Sequence, residues 1–307
     1  MKKDSIAGQV DALMHEGGYR YKTLSVTHLA EAESELQSLY GQGALEESLF
    51  RERLAPVRYE PARFMEGAET VIIVAIPQPI VLVGFTRNGQ ECKAVIPPTY
   101  DFSTDGIIED GLNKILQSWG YRVRIISAPW KYLAVRSGLA EYGKNNIAYI
   151  PCRGSFHRLV AFVTDWPCEQ DHWGTAQMME RCKRCRACIV FCPTKAIDEQ
   201  RFVIHAERCI TFHNELTRDM PDFIDPSWHH CLLGCMRCQD CCPENKETKK
   251  ISELRERFGE EETALILYST PLAELPVTTR QKLEHLSLAE DYALIPRNLG
   301  LLLYNKK

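Results

Sequence analysis

Apolar residues recur at two different periods along the chain. Over residues 5–17 and 27–54 they fall three and four apart, with Leu29, Leu36, Leu39 and Leu45 among them, and this spacing predicts helices. Thr70–Ile76 is an unbroken apolar, β-branched run, as in a strand covered on both faces. Two strand-like runs, Ile80–Phe85 and Glu91–Ile96, flank Arg87-Asn88-Gly89-Gln90, and Asn-Gly in that position predicts a hairpin. A helix over 105–118, a strand over 121–127, a helix over 130–137 and strands over 146–150 and 159–164 follow. This mixture predicts an α/β domain over residues 1–173. Strand signal fades over 174–246. Periodic segments near 250–267, 271–286 and 296–305 predict a short helical C-terminal region, 247–307.

Composition narrows the class. The chain has 307 residues, 45% hydrophobic and 25% charged, which fits an ordinary globular protein and excludes a disordered chain or a membrane bundle. The 37 basic against 41 acidic residues give a formal charge of −4, so no bulk electrostatic attraction to nucleic acid is expected. The longest apolar stretch, Thr70 to Phe85, is broken by Pro77 and Pro79 and is too short to span a bilayer. Lys2 and Lys3 are followed by no apolar leader segment, so the cytoplasm is the expected compartment.

The 13 cysteines change the picture most. An odd number without a leader argues against a disulfide scaffold. Cys92, Cys152 and Cys168 are isolated and read as structural, whereas the other ten lie between Cys182 and Cys242. The first run, Cys182-Lys-Arg-Cys185-Arg-Ala-Cys188-Ile-Val-Phe-Cys192-Pro193, has the bacterial ferredoxin spacing C-x2-C-x2-C-x3-C-P. A structural zinc site would use paired C-x2-C knuckles instead. In the ferredoxin pattern three thiolates two residues apart reach one cubane, and the cysteine before proline serves the other. The second run holds Cys235, Cys238 and Cys242-Pro243 at the same offsets, but Leu232 occupies the first cysteine position. The crossed rule therefore gives one cluster Cys182, Cys185, Cys188 and Cys242. The other takes Cys192, Cys235, Cys238 and a remote ligand, either Cys209 or Cys231. Cys241 is left as a spare thiol.

The cysteine runs are shared with many ferredoxins; the residues ahead of them are more selective. Ile126-Ser127-Ala128-Pro129, then Ser137-Gly138-Leu139-Ala140-Glu141-Tyr142-Gly143-Lys144-Asn145, then Val163-Thr164-Asp165 precede the runs. Arg208-Cys209-Ile210-Thr211 lies between them. Over roughly residues 60–246 this order resembles the superfamily of epoxyqueuosine reductases and reductive dehalogenases. The resemblance implies an α+β protein: a nitroreductase-like core that holds cobalamin base-off, a ferredoxin-like domain with two [4Fe–4S] clusters, and a short helical C-terminus. It implies Cys209 rather than Cys231 as the remote ligand. It also implies Lys144 and Tyr142 as catalytic candidates, and Gly138, Lys144, Ala148, Thr211 and His213 as cofactor-binding candidates. His229 and His230 lie beside the second run and read as weaker candidates of the same kind. No Asp-x-His-x-x-Gly loop is present; Asp171-His172-Trp173-Gly174 has the wrong spacing.

Two departures separate the chain from epoxyqueuosine reductase. An aspartate that serves there as proton donor precedes the S-A-P element; here that position is Ile126. The segment after the clusters is short and carries 9 basic against 10 acidic residues, so nucleic acid is not an expected partner. The expectation is a cobalamin-dependent iron–sulfur oxidoreductase acting on another small-molecule substrate, fed by a ferredoxin or flavodoxin. Two alternatives are a non-catalytic electron-transfer or corrinoid-binding protein, and a variant epoxyqueuosine reductase.

Overall fold

The structure, a computed structural model, describes residues 5–250 and 252–304. The chain folds as two compact units. One comprises the described residues up to Pro77 together with Thr104–Cys185 and Gln200–Val203; the other comprises Gln78–Ser103, Arg186–Glu199 and the residues from Ile204 onward.

The first unit is built on a four-stranded sheet in the order β1 (Arg20–Ser25), β2 (Thr70–Pro77), β8 (His157–Thr164), β5 (Val123–Ile126), with all neighbours antiparallel. The β-branched run is the β2 strand. Its Val71, Ile73 and Ala75 enter one core with the helices His28–Gly41 and Trp130–Arg136. Its Ile72, Val74 and Ile76 enter a second core with Ile6–Glu16 and Asp105–Gln117. Strand period alone divides these residues between the two faces. Each helix needs only one apolar stripe, such as Ile108, Leu112 and Leu116. The helix expected over 27–54 ends at Gly41, because Gly43 takes φ 69° and only short helical turns follow.

In the second unit β3 (Ile80–Arg87) and β4 (Gln90–Ile96) form the expected hairpin. Asn88 and Gly89 both take positive φ, as its two-residue turn demands. The C-terminal region departs from the helical expectation. Ser252–Phe258 is a strand, β9, parallel to β3 on its other edge, so this sheet runs β4-β3-β9. Its sequence, Ser-Glu-Leu-Arg-Glu-Arg-Phe, offers little apolar signal, and only Phe258 is fully buried, stacked on Phe85. Pairing with an open strand edge overrides local preference there. Helices Glu260–Leu267, Val277–His285 and Ile295–Tyr304 follow and pack Ile266, Leu283 and Leu299 onto Val83 and Phe85. The hairpin expected in the N-terminal domain thus belongs with the C-terminal region. Among the described residues no helix is long and apolar enough to cross a membrane.

Phe162 is fully buried in the first unit, whereas Tyr268 is 84% exposed in the second. Phe162→Ala should cost about 3–5 kcal/mol and Tyr268→Ala less than about 0.5 kcal/mol; urea unfolding measures both.

Candidate metal centre

The two cysteine runs adopt the same local backbone. Each has a short helix, Ala187–Phe191 in one and Arg237–Asp240 in the other, and the two lie side by side. The residue before each helix, Arg186 or Met236, has φ/ψ of −122°/8° or −108°/−1°. The cysteine before proline is extended in both, at −72°/112° for Cys192 and −73°/125° for Cys242. A repeat of spacing in the sequence is therefore a repeat of geometry.

Four of the predicted ligands fall together in the second unit. Cys192 packs with Cys209 and Cys238, and with Cys188 of the other predicted quartet, in a small apolar cluster that includes Ala196, Ile197 and Ile204. Cys235 completes the group, with its thiol pushed up to about 12 by burial and by the neighbouring Cys209 and Cys192. Burial likewise pushes the Cys209 thiol up, while the Thr211 amide and hydroxyl and the Phe212 amide, all hydrogen-bonded to it, pull the other way. These donors stabilise a thiolate. All thirteen cysteines are free. Among the described residues no three cysteine, histidine or carboxylate groups converge as a single-ion site requires.

Cys209 is remote in sequence and is held by its helix, Ile210–Asn214. Asn214 Nδ2 donates to the Gly234 carbonyl at 2.8 Å, beside Cys235. Asn298 Nδ2 donates to the carbonyls of Asn214 and Leu232 at 3.0 and 2.7 Å. Arg297 donates to the carbonyls of His213 and Leu216 at 2.9 and 2.6 Å. Gly234 takes φ 60°, and a Cβ there would lie 2.6 Å from the Tyr100 hydroxyl, which excludes any other residue. Leu232, at the missing cysteine position, is fully buried in the core. Cys231 is also buried, on the backbone segment bridged to Val95 of β4, and burial and the neighbouring Cys235 push its thiol up. The sequence did not reveal Asn298 or Arg297, because their roles depend on contacts about 65 to 85 residues away along the chain.

His213 and His229 are buried in the same unit. His213 Nε2 contacts the Glu207 carbonyl at 2.8 Å, while its Nδ1, Asn214 Oδ1 and both ring nitrogens of His229 lie buried with no hydrogen-bond partner. Burial lowers both histidine pKa values, to about 4 for His229, so the rings are neutral at pH 7. Thr211 takes part through its bonds to Cys209.

The division of the chain falls between Cys185 and Arg186, so of the other predicted quartet Cys182 and Cys185 belong to the first unit and Cys188 and Cys242 to the second. In the first unit the Lys144 amide donates to Cys182 Sγ at 3.4 Å. Lys144 sits at the turn of a small hairpin, β6 (Glu141–Tyr142) and β7 (Ala148–Tyr149). Tyr142 is buried; its hydroxyl is pushed up to about 12 by burial and the Glu35 charge, against Arg136. Ala148 packs in the core beside it, and Gly138, at φ 71°, ends the helix Trp130–Arg136. Packing and turn geometry account for these two. Ile126 is buried in that core, only 3% exposed. Sequence reasoning also missed a polar cluster here. Trp173 stacks on His28 at 4.3 Å and meets the Arg136 guanidinium at 4.3 Å, and His28 contacts Glu31 and Asp171 at 2.6 and 2.8 Å.

With this geometry in hand the comparisons are specific. Residues 181–245 match the 4Fe-4S double cluster binding domain. The epoxyqueuosine reductase of Escherichia coli is 27% identical over 250 residues, 78% of this chain and 65% of that one. That of Cellulophaga algicola is 31% identical over 149 residues, 48% of this chain and 47% of that one. Over part of its length this chain is similar to the epoxyqueuosine reductases. The epoxyqueuosine reductase structure from Bacillus subtilis superposes with a TM-score of 0.67 at 20% identity, covering 97% of this chain and 82% of that one, which shows a shared fold. In that structure the enzyme's aspartate-bearing catalytic loop is swung out of the active site. The matches span between about half and two thirds of the first three curated epoxyqueuosine reductases.

Asn298→Ala removes the donor to the Leu232 carbonyl, at about 1–3 kcal/mol, and leaves the Asn214 carbonyl only its longer bond from Arg297. The variant should unfold at lower urea and retain less iron than the wild type, measured by denaturation and metal analysis.

Proposed function

We propose that the protein is a cobalamin-dependent iron–sulfur reductase with two [4Fe–4S] clusters and a small-molecule substrate other than epoxyqueuosine. The observation that carries this reading is the packing of Cys192, Cys209 and Cys238, with Cys235 beside them, from three separate stretches of one unit. Four thiols in an apolar pocket with amide donors aimed at sulfur fit a cluster's needs. We assign Cys192, Cys209, Cys235 and Cys238 to one cluster. Cys182, Cys185, Cys188 and Cys242 are assigned to the other on the ferredoxin spacing, with the hydrogen bond that the Lys144 amide donates to Cys182 Sγ in support.

The four-stranded sheet with helices on both faces is assigned to a nitroreductase-like corrinoid-binding core. His213 Nδ1, Asn214 Oδ1 and both ring nitrogens of His229 are buried polar groups of the second unit with no hydrogen-bond partner in the chain. When bound, the clusters supply single electrons and base-off cobalamin a strongly reducing metal centre. The chain's own residues do the rest. Tyr142 keeps its proton at neutral pH and can give it to a developing anion, which the Lys144 cation stabilises. Thr211 donates to the Cys209 sulfur.

Ile126 favours a second reading. Its side chain belongs to the hydrophobic core, so the position supplies no acid. An electron-transfer protein that binds or reduces a corrinoid would need none. An epoxyqueuosine reductase has been solved with an epoxyqueuosine-modified tRNA stem loop. That complex bears against the expectation of no nucleic-acid partner; a tRNA substrate for this chain would require another acid in place of Ile126.

Cys209→Ser should remove or convert one cluster, Cys231→Ser should leave both, and Leu232→Cys should fail to restore the cluster lost in Cys209→Ser. Iron analysis and EPR of the reduced proteins separate these outcomes. Epoxyqueuosine in a tRNA stem loop should turn over about 10²–10⁴-fold more slowly than in an enzyme with a positioned acid. Conversion at a comparable rate by reduced protein would remove the argument from Ile126.

A further inference from the structure

The helix Ala187–Phe191 exposes two large apolar side chains, Val190 at 65% and Phe191 at 62%. Two adjacent apolar residues on a five-residue helix have no folding reason to face water. They sit between Cys188 and Cys192, which the proposed function assigns to different clusters. Charge rims the pair. Exposed Lys195 reaches back to the Val190 carbonyl at 3.3 Å, and Arg186, 62% exposed, pairs with Glu199 at 2.7 Å. Residues 186–195, all within the second unit, carry two basic side chains, Arg186 and Lys195, and no acidic one.

We infer that Val190 and Phe191 form the docking point for an acidic one-electron carrier protein, with Lys195 and Arg186 as its steering rim. This rests on the two-cluster reading above. The chemistry selects the partner. Transient redox encounters bury little surface, so two apolar anchors suffice at the centre. Opposite charge around them accelerates encounter without making the complex tight. One electron passes per encounter: the reduced carrier is oxidised and a cluster gains the electron, with no bond made or broken.

The test follows the bleaching of cluster absorbance in the purified holoprotein on mixing with a pre-reduced acidic flavodoxin, and separately with dithionite. Phe191→Ala should slow reduction by flavodoxin about tenfold, the loss of one central anchor. Lys195→Glu should slow it and flatten its dependence on salt. Neither variant should change the rate with dithionite or the iron content. Equal rates for wild type and variants with flavodoxin would overturn the docking face while leaving the clusters in place. So would equal slowing with both reductants. A wild-type protein without iron would overturn the two-cluster reading itself.

Discussion

Asn298 is the residue on which the arrangement of the second unit depends. Its side chain, with no exposed surface, donates to the carbonyls of Asn214 and Leu232. One amide thereby ties the helix that carries Cys209 to the strand of chain that leads into Cys235. Arg297 beside it holds the next turn through the carbonyls of His213 and Leu216. Unpaired, these buried carbonyls would each cost about 1–3 kcal/mol. The last helix is fixed in turn by Leu299, Leu302 and Leu303 in the core. The C-terminal segment therefore acts as a clamp on the cysteine-bearing segments.

The same core explains why a remote cysteine is needed. A second run with ferredoxin spacing would place a thiol at Leu232, but that side chain is fully buried against the sheet formed by β3, β4 and β9. An apolar residue there contributes to folding, and the missing ligand must come from elsewhere. Cys231 is adjacent in sequence but lies on the segment bridged to β4. Cys209 lies among Cys192, Cys235 and Cys238.

Local signals were legible in the sequence. The β2 run, the Asn88-Gly89 turn and the repeated cysteine spacing each depend on residues a few positions apart, and each has the expected form. The β9 strand was not legible, because Ser252–Phe258 is mostly charged and gains its conformation from the β3 edge. For the same reason the hairpin's association with the C-terminal region could not be read in advance. Within the candidate site, residue type and spacing pointed to the cysteines. The supporting groups are ordinary polar residues, Asn298, Asn214 and Tyr100, whose importance lies in their partners. Ile126 was visible as a departure, and the core around it shows that the position is structurally apolar.

The most direct measurement is Mössbauer spectroscopy of anaerobically prepared, iron-57-enriched protein with parallel zinc analysis. The account predicts about eight irons per chain, all in [4Fe–4S] centres, and negligible zinc. Stoichiometric zinc, or iron accounting for a single cluster, would contradict it.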